Sequence, residues 1–330
     1  MQEIPRCSER ENVLKVFRHE LPQWVPCEPR SIQLYCNNGF WEHPPFKKAG
    51  ADWFGLDWMD GEAGGALMPN HQKPPLMDDI CDWRERIHFP DLDSWDWKQA
   101  AVVDNVGQYD RSDKLLSLIV YAGPFERMHM LMGFENALCA LLTNPDEVSC
   151  FLDAMVDYKL RLIDKLAEYY HPDVIVFHDD YGTQRDLFFA PDIFRALFKP
   201  RLRKIVERCH SHGILFELHS CGQVGQIVPD FAEIGCDCFQ GMHIVDIPKM
   251  KAITGTSLAY HCAMNYQGYQ ANAMAGKITE AALRADIRNT LMQNAQGGCY
   301  IPRFSFTQGD EWWARVLLDE LTDFCETYRY

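Results

Sequence analysis

Along this chain, short runs of β-branched and apolar residues alternate with longer segments in which apolar residues recur every three or four positions. The short runs predict strands at Trp24–Gln33, Asp52–Trp58, Leu116–Ala122, Asp173–His178, Ile214–His219, Cys236–Gly241, Ser257–Cys262 and Cys299–Phe304. The longer segments predict helices at Glu9–His19, Pro145–Tyr170, Pro191–His212, Val224–Ile234, Thr279–Gln296 and Asp310–Tyr328. In Pro145–Tyr170, the residues Val148, Phe151, Leu152, Met155, Leu162 and Leu166 form one helical stripe, and Asn144 stands as N-cap before Pro145. Val174 to Phe177 is an unbroken apolar run, the pattern of a strand buried on both faces.

Strands separated by helices predict an α/β protein, a (β/α)₈ TIM barrel, with a doubly wound open sheet as the alternative. Strand count alone does not show closure. Met59–Asp110 breaks the alternation with Pro, Gly, Asp and Trp, and reads as a long insertion after the second strand that covers one barrel mouth. A length of 330 residues at 47% hydrophobic suits one large barrel or two ordinary domains, and the eight-strand alternation favours a single barrel domain over residues 1–330. The 13 irregularly spaced cysteines fit free thiols, and Met1 to Arg6 lacks the apolar stretch of a signal peptide, which together predict a cytoplasmic protein. A net charge of −15 without a basic cluster speaks against a nucleic-acid partner, and no apolar run is long enough for a membrane span.

In a barrel, chemistry sits at the carboxyl ends of the strands. Two strand ends here carry suitable groups. One is His178-Asp179-Asp180-Tyr181-Gly182, whose acids can accept protons, hold a metal or cap the next helix. The other is Phe216-Glu217-Leu218-His219-Ser220-Cys221-Gly222. Alternation puts Glu217, His219 and Cys221 on one side of that strand, and carboxylate, imidazole and thiol are donors that zinc takes. A packed histidine beside a buried thiol would leave the same pattern.

His219-Ser220-Cys221-Gly222, followed by Pro229-Asp230-Phe231-Ala232-Glu233-Ile234-Gly235, resembles the central signature of the uroporphyrinogen decarboxylase superfamily. Arg10 to Leu14 with Val25-Pro26 resembles that family's opening helix and first strand, and Gly50 to Gly55 the second strand of its methyltransferase-like members. Asp179 to Gly182 and Gly297 to Ile301 resemble its fourth and last strands. The resemblance implies the (β/α)₈ barrel. It also implies a choice of activity. Family decarboxylases bring several arginines from the N-terminal segment to hold a polycarboxylate macrocycle, whereas the matching stretch Pro26 to Gly39 contains only Arg30.

The methyltransferase branch is the better likeness. Its thiol-methylating members hold zinc with His-x-Cys, matched by His219 and Cys221, and with a later cysteine. Here Cys299 stands at the beginning of the last strand, whereas the family ligand falls about where Ser305 and Phe306 stand, which turns attention to Glu217 as third donor. Other members demethylate methoxylated aromatics and pass the methyl group to a corrinoid. This chain has no Asp-x-His-x-x-Gly corrinoid-ligating motif, so a corrinoid (cobalamin) would arrive on a partner carrier protein. The resemblance therefore implies a corrinoid-dependent methyltransferase with a small methyl donor, an aryl methyl ether being favoured over a thiol as acceptor. The alternative from another class is a non-catalytic barrel that binds a corrinoid or tetrapyrrole. His219, Asp179 and Asp180 are the expected catalytic residues. Aromatic walls such as Tyr35 and Trp53, with His178, His261, Asn265 and Tyr121, are candidates for substrate contact.

Overall fold

The computed structural model describes residues 7–35, 38–44, 49–60, 67–304 and 310–330; of Tyr35, Asp60 and Leu67 only the backbone is described. The chain opens with the helix Glu9–Phe17, which Ser8 and Glu11 start with a reciprocal capping box. Its apolar residues Val13, Val16 and Phe17 close the floor of a curled parallel sheet.

That sheet has seven strands in the order β1, β5, β6, β7, β8, β9, β10, all parallel. In chain order the strands are β1 Ile32–Tyr35, β2 Gly50–Ala51, β3 Asp57–Asp60, β4 Leu67–Pro69, β5 Leu115–Val120, β6 Val174–His178, β7 Leu215–Ser220, β8 Cys238–Gly241, β9 Ala259–Ala263 and β10 Tyr300–Arg303. Strands β2, β3 and β4 form a separate antiparallel sheet. The architecture is an α/β half-barrel of TIM type.

Two predicted strands are corrected. Trp24–Gln33 is not one strand: Pro29 sits in the first turn of a short helix, Glu28–Ser31, and only Ile32–Tyr35 enters the sheet. The predicted strand Asp52–Trp58 supplies no strand to the parallel sheet. The Asp52 carboxylate accepts the amides of Phe54 and Leu56 at 2.9 and 3.0 Å, turning the chain where the strand should run, so that Asp57 and Trp58 pair back on Gly50 and Ala51 in the antiparallel sheet. Among the described residues, β1 and β10 therefore do not pair with each other. Helix Glu28–Ser31 lies between them, and the Phe304 amide donates to the Glu28 carboxylate at 2.5 Å. The predicted helix Pro191–His212 is interrupted by a π-turn at Phe194–Phe198, because Pro200 has no N–H to continue the regular ladder.

The inserted segment packs mainly along the long helix Pro145–Tyr169: the rings of Trp83 and Phe89 meet Phe151, and Phe89 also meets Tyr158. The mouth itself is approached by residues preceding the insertion, with His43 edge-on to Tyr121 at 4.4 Å. No helix among the described residues is long and apolar enough to cross a membrane.

The floor helix is tied to the sheet by Arg10, which donates to both oxygens of Asp173 at 2.6 and 2.8 Å, while the Leu116 amide donates to the same carboxylate at 2.8 Å. Burial would raise the Asp173 carboxyl, but Arg10 and that amide outweigh it and hold it below the usual carboxylate range. A depressed folded pKa contributes stability that is present above the unfolded value and lost as pH falls through the folded one. Asp173→Asn is thus expected to cost about 1–3 kcal/mol at neutral pH. The gap from wild type should close only below about pH 4. Urea unfolding across pH checks this; a gap that stays constant down to pH 2 would assign the loss to something other than the charge.

Candidate functional site

Register across the parallel sheet decides what meets at its carboxyl end. His178 pairs with His219, His219 with Gln240, and Gln240 with His261. All four lie on the inner face, because alternation places their outward neighbours Phe177, Leu218, Phe239 and Cys262 in the core beneath the helices. A polar belt thus crosses four adjacent strands. Two positions further on, Asp180 and Cys221 stand above His178 and His219, and the Cys221 amide donates to Asp180 Oδ1 at 2.6 Å.

Within this belt the His178 and His219 rings stack at 4.1 Å. His219 Nε2 lies 3.3 Å from Cys221 Sγ and 3.8 Å from Asp180 Oδ1. One ligand atom each from His178, Asp180 and His219 lie within 4.8 Å of one another, a group able to hold a metal ion. Glu217 is on the same face but one layer deeper. Its carboxylate is taken by Gln240 Nε2 at 2.8 Å and His261 Nδ1 at 2.7 Å, so the structure does not bring it into that group.

The Gln240 amide is oriented by this arrangement. Its NH₂ must face the Glu217 carboxylate, so its carbonyl faces His219 Nδ1 at 2.8 Å and accepts a hydrogen bond from that N–H. His219 therefore presents an unprotonated Nε2 to Cys221. Burial, then the charges of His178 and Arg303, depress its pKa well below the ordinary histidine value, keeping the ring neutral. The Cys221 thiol goes the other way: burial and Asp180 push it up to about 12.

His178 behaves differently from its neighbour. Burial opposes its charge, but Glu126, then Asp180 and Asp179, outweigh burial and raise it to about 9. Its Nδ1 sits 3.0 Å from the Glu126 carboxylate. Glu126 was not singled out from the sequence. It is the third residue of helix Pro124–Met132, and Gly123-Pro124 directly after an apolar run is the signal that pointed there.

Asp179 turns away from the belt. Its buried carboxylate caps that helix, accepting the Phe125 and Glu126 amides at 3.3 and 2.8 Å and the Tyr181 hydroxyl at 2.5 Å. Burial and Glu126 push it up to about 8 against those donors. A Cβ on Gly123 would lie 2.4 Å from Asp179 Cγ, so only glycine allows this approach. Gly222 of the His-Ser-Cys-Gly run is equally constrained: φ is +90°, and a Cβ there would lie 2.2 Å from the Gly182 backbone. The two strand-end loops touch at these glycines.

Other candidates fall elsewhere. His261 is held between Glu217 at 2.7 Å and Glu28 at 3.5 Å, and these carboxylates raise it to about 9 against its burial. Asn265 caps the helix Tyr266–Met274 through the Gly268 amide. Trp53 packs in an aromatic cluster with Phe40, Trp95 and Trp97, apart from the belt. The side chain of Tyr35 and the positions of Ser305 and Phe306 lie outside the described residues. Cys299 packs in the floor with Val13 and Ile301, at the opposite end of the strands from Cys221.

Residues 68–301 match the family model described as uroporphyrinogen decarboxylase (URO-D). The chain belongs to this family. Among its relatives is the methylated-thiol–coenzyme M methyltransferase of Methanosarcina mazei, 22% identical over 169 residues that make up 51% of this chain. That match covers 44% of the relative's own length. The solved structure of a methyltransferase from Methanosarcina mazei superimposes with a TM-score of 0.65 over 96% of this chain and 99% of the other, at 16% identity, and shows the shared fold. The URO-D match spans the polar belt from His178 to His261 and stops at Ile301.

Proposed function

We propose that this URO-D family protein is a corrinoid-dependent methyltransferase that moves a methyl group from a small donor, an aryl methyl ether, to the corrinoid of a carrier protein. The observation that carries the reading is geometric: His219 Nε2 is set 3.3 Å from Cys221 Sγ, and the His178 ring stacks on His219 at 4.1 Å with its Nδ1 3.0 Å from Glu126. Catalysis of methyl transfer from an ether needs positive charge or a proton at the leaving oxygen, since a phenolate leaves far more readily once stabilised. His178 fits that role. Its Nδ1 bonds Glu126, and a pKa of about 9 leaves a second proton on Nε2 at neutral pH. As the methyl–oxygen bond breaks, its electron pair goes to oxygen and His178 supplies the proton. Asp180 steadies the Cys221 loop, and Asp179 fixes the helix that carries Glu126.

Zinc fits the donors present. His219, Cys221 and Asp180 would hold it, leaving His178 as the acid, with Glu217 orienting His219 through Gln240 rather than binding directly. When bound, zinc supplies a Lewis acid and lowers the pKa of a coordinated thiol. A thiol as methyl acceptor is the second reading, favoured by the name of the Methanosarcina relative.

Decarboxylation of a polycarboxylate porphyrinogen fits poorly. Arg30, the one arginine of the N-terminal stretch, is already engaged by Glu326 at 2.8 Å and Glu9 at 3.6 Å.

The reading is tested by incubating the protein with reduced corrinoid carrier and a panel of methoxyarenes, methanol, methylamines and thiols while following the cobalt spectrum. Methoxyarene-dependent spectral change is expected; silence with every donor would leave a binding barrel instead. Metal analysis is expected to give about one zinc per chain, lost in the double variant His219→Ala, Cys221→Ala. Unchanged zinc in that variant would remove these two residues as ligands.

A further inference from the structure

Strand β10 carries a cation that nothing among the described residues satisfies. Alternation along Tyr300–Arg303 puts Ile301 and Arg303 on one face, and Ile301 packs into the barrel floor with Val13 and Val174. Arg303 therefore points inward, one step nearer the mouth. The ladder fixes its level: Ile301 pairs with His261 and Arg303 with Ala263, so Arg303 stands just above the belt of His178, His219, Gln240 and His261. Its positive charge bears on His219, Cys221 and Tyr266.

Arg303 is half-buried, its Nε is enclosed without a partner, and among the described residues its guanidinium forms no hydrogen bond or ion pair. Glu28, a carboxylate that feels its charge, is already used by the Phe304 amide at 2.5 Å and by His261 at 3.5 Å. The contrast with other arginines is plain: Arg10, Arg127, Arg201, Arg284 and Arg288 each meet a carboxylate. Withdrawing a cation from water without an anion is costly, so such a group is retained where a ligand completes it. Arg303 sits at the end of a strand and in no motif, so the sequence alone does not single it out.

We propose that Arg303 receives a carboxylate of the small molecule that lies over His219 and Cys221, so that the site selects a singly anionic organic substrate. The planar guanidinium fork matches a carboxylate in two parallel bonds, which also fixes the substrate's orientation. With a net charge of −15, the protein repels small anions unless a local cation compensates, and one unpaired arginine suits one carboxylate rather than many. This assignment rests on the mouth being the substrate site of the proposed methyltransferase.

The test uses binding, not turnover. Matched pairs such as 4-methoxybenzoate and 4-methoxybenzamide are titrated into the purified full chain by calorimetry at neutral pH, for wild type, Arg303→Gln and Arg303→Lys. Wild type should bind the carboxylate about ten-fold or more tighter than the amide, as loss of a charge-assisted bond in a half-buried site implies. Arg303→Gln should erase that preference, and Arg303→Lys should restore part of it. Because Arg303 has no partner to lose among the described residues, Arg303→Lys should unfold near the wild-type midpoint and Arg303→Gln, relieved of the unpaired charge, at or above it. Equal binding of the pair, no binding of either by wild type, or a preference that survives in Arg303→Gln would overturn the proposal. Its failure is distinguishable from failure of the methyltransferase reading. A barrel that prefers carboxylates but transfers no methyl keeps Arg303 in its role, and an active enzyme indifferent to donor charge loses only this inference.

Discussion

His219→Ala should slow methyl transfer by about 100-fold or more, the usual loss when a group that shapes the charge of the reacting centre is removed. The residue is buried at the centre of the belt, with the His178 ring stacked on it at 4.1 Å and Gln240 fixing its tautomer at 2.8 Å. Removing the ring leaves Gln240 Oε1 without a donor and opens the space between His178 and Cys221. Carrier docking should be unaffected, since His219 is only 4% exposed and does not reach the protein surface. Initial rates of methylcobalamin formation with a methoxyarene donor check this, alongside carrier affinity. Equal rates for wild type and variant would remove His219 from the mechanism. Loss of carrier affinity in step with rate would point to a disturbed mouth instead of lost chemistry.

Lys159→Met should be the most damaging single change to stability, costing about 3–5 kcal/mol. Lys159 rises from the long helix Pro145–Tyr169 with its ammonium wholly buried, paired with Glu42 and donating to the Tyr121 carbonyl at 2.9 Å. Beside it, Arg127 bonds Asp52 at 2.5 Å and the Glu42 carbonyl at 2.6 Å, again with both charged side chains fully enclosed. Burial lowers the Lys159 pKa and raises that of Glu42, so each relies on the other to stay charged. Methionine fills the stem's volume but leaves the Glu42 carboxylate, one oxygen of which already lacks a partner, short of its counter-charge. Removing both partners in Lys159→Met, Glu42→Leu should recover most of the loss, because no uncompensated charge remains. Denaturant midpoints of the two singles and the double measure the coupling. A Lys159→Met midpoint close to wild type would show that the pair is not holding residues 38–44 against the barrel. Those residues place His43 against Tyr121, whose ring lies 5.6 Å from His178, so the pair also shapes the wall of the mouth.

The sequence by itself determined the parallel strands β5 to β10, because a run such as Val174 to Phe177 is too apolar for any place but a doubly covered sheet, and the alternation from Phe216 to His219 has the period of a strand. It also determined that His219 and Cys221 share a face, since strand alternation is a local property of the backbone. Local rules failed where side chains competed for the backbone. Asp52 took two amides and turned the expected second strand into a separate hairpin-like sheet, and Pro29 made a helix of the expected first. Partners across strands were beyond local rules altogether. Glu217 has the right chemistry for a metal and the right parity, yet Gln240 and His261, from strands that follow it by more than 20 residues, claim its carboxylate. Glu126 and Arg303 matter only because the first turn of helix Pro124–Met132 carries one against His178 and the sheet's register sets the other above His261 without a partner among the described residues. Alternation fixes which way a side chain points; only the curl of the sheet decides what stands opposite it, because that depends on contacts between residues far apart in the chain.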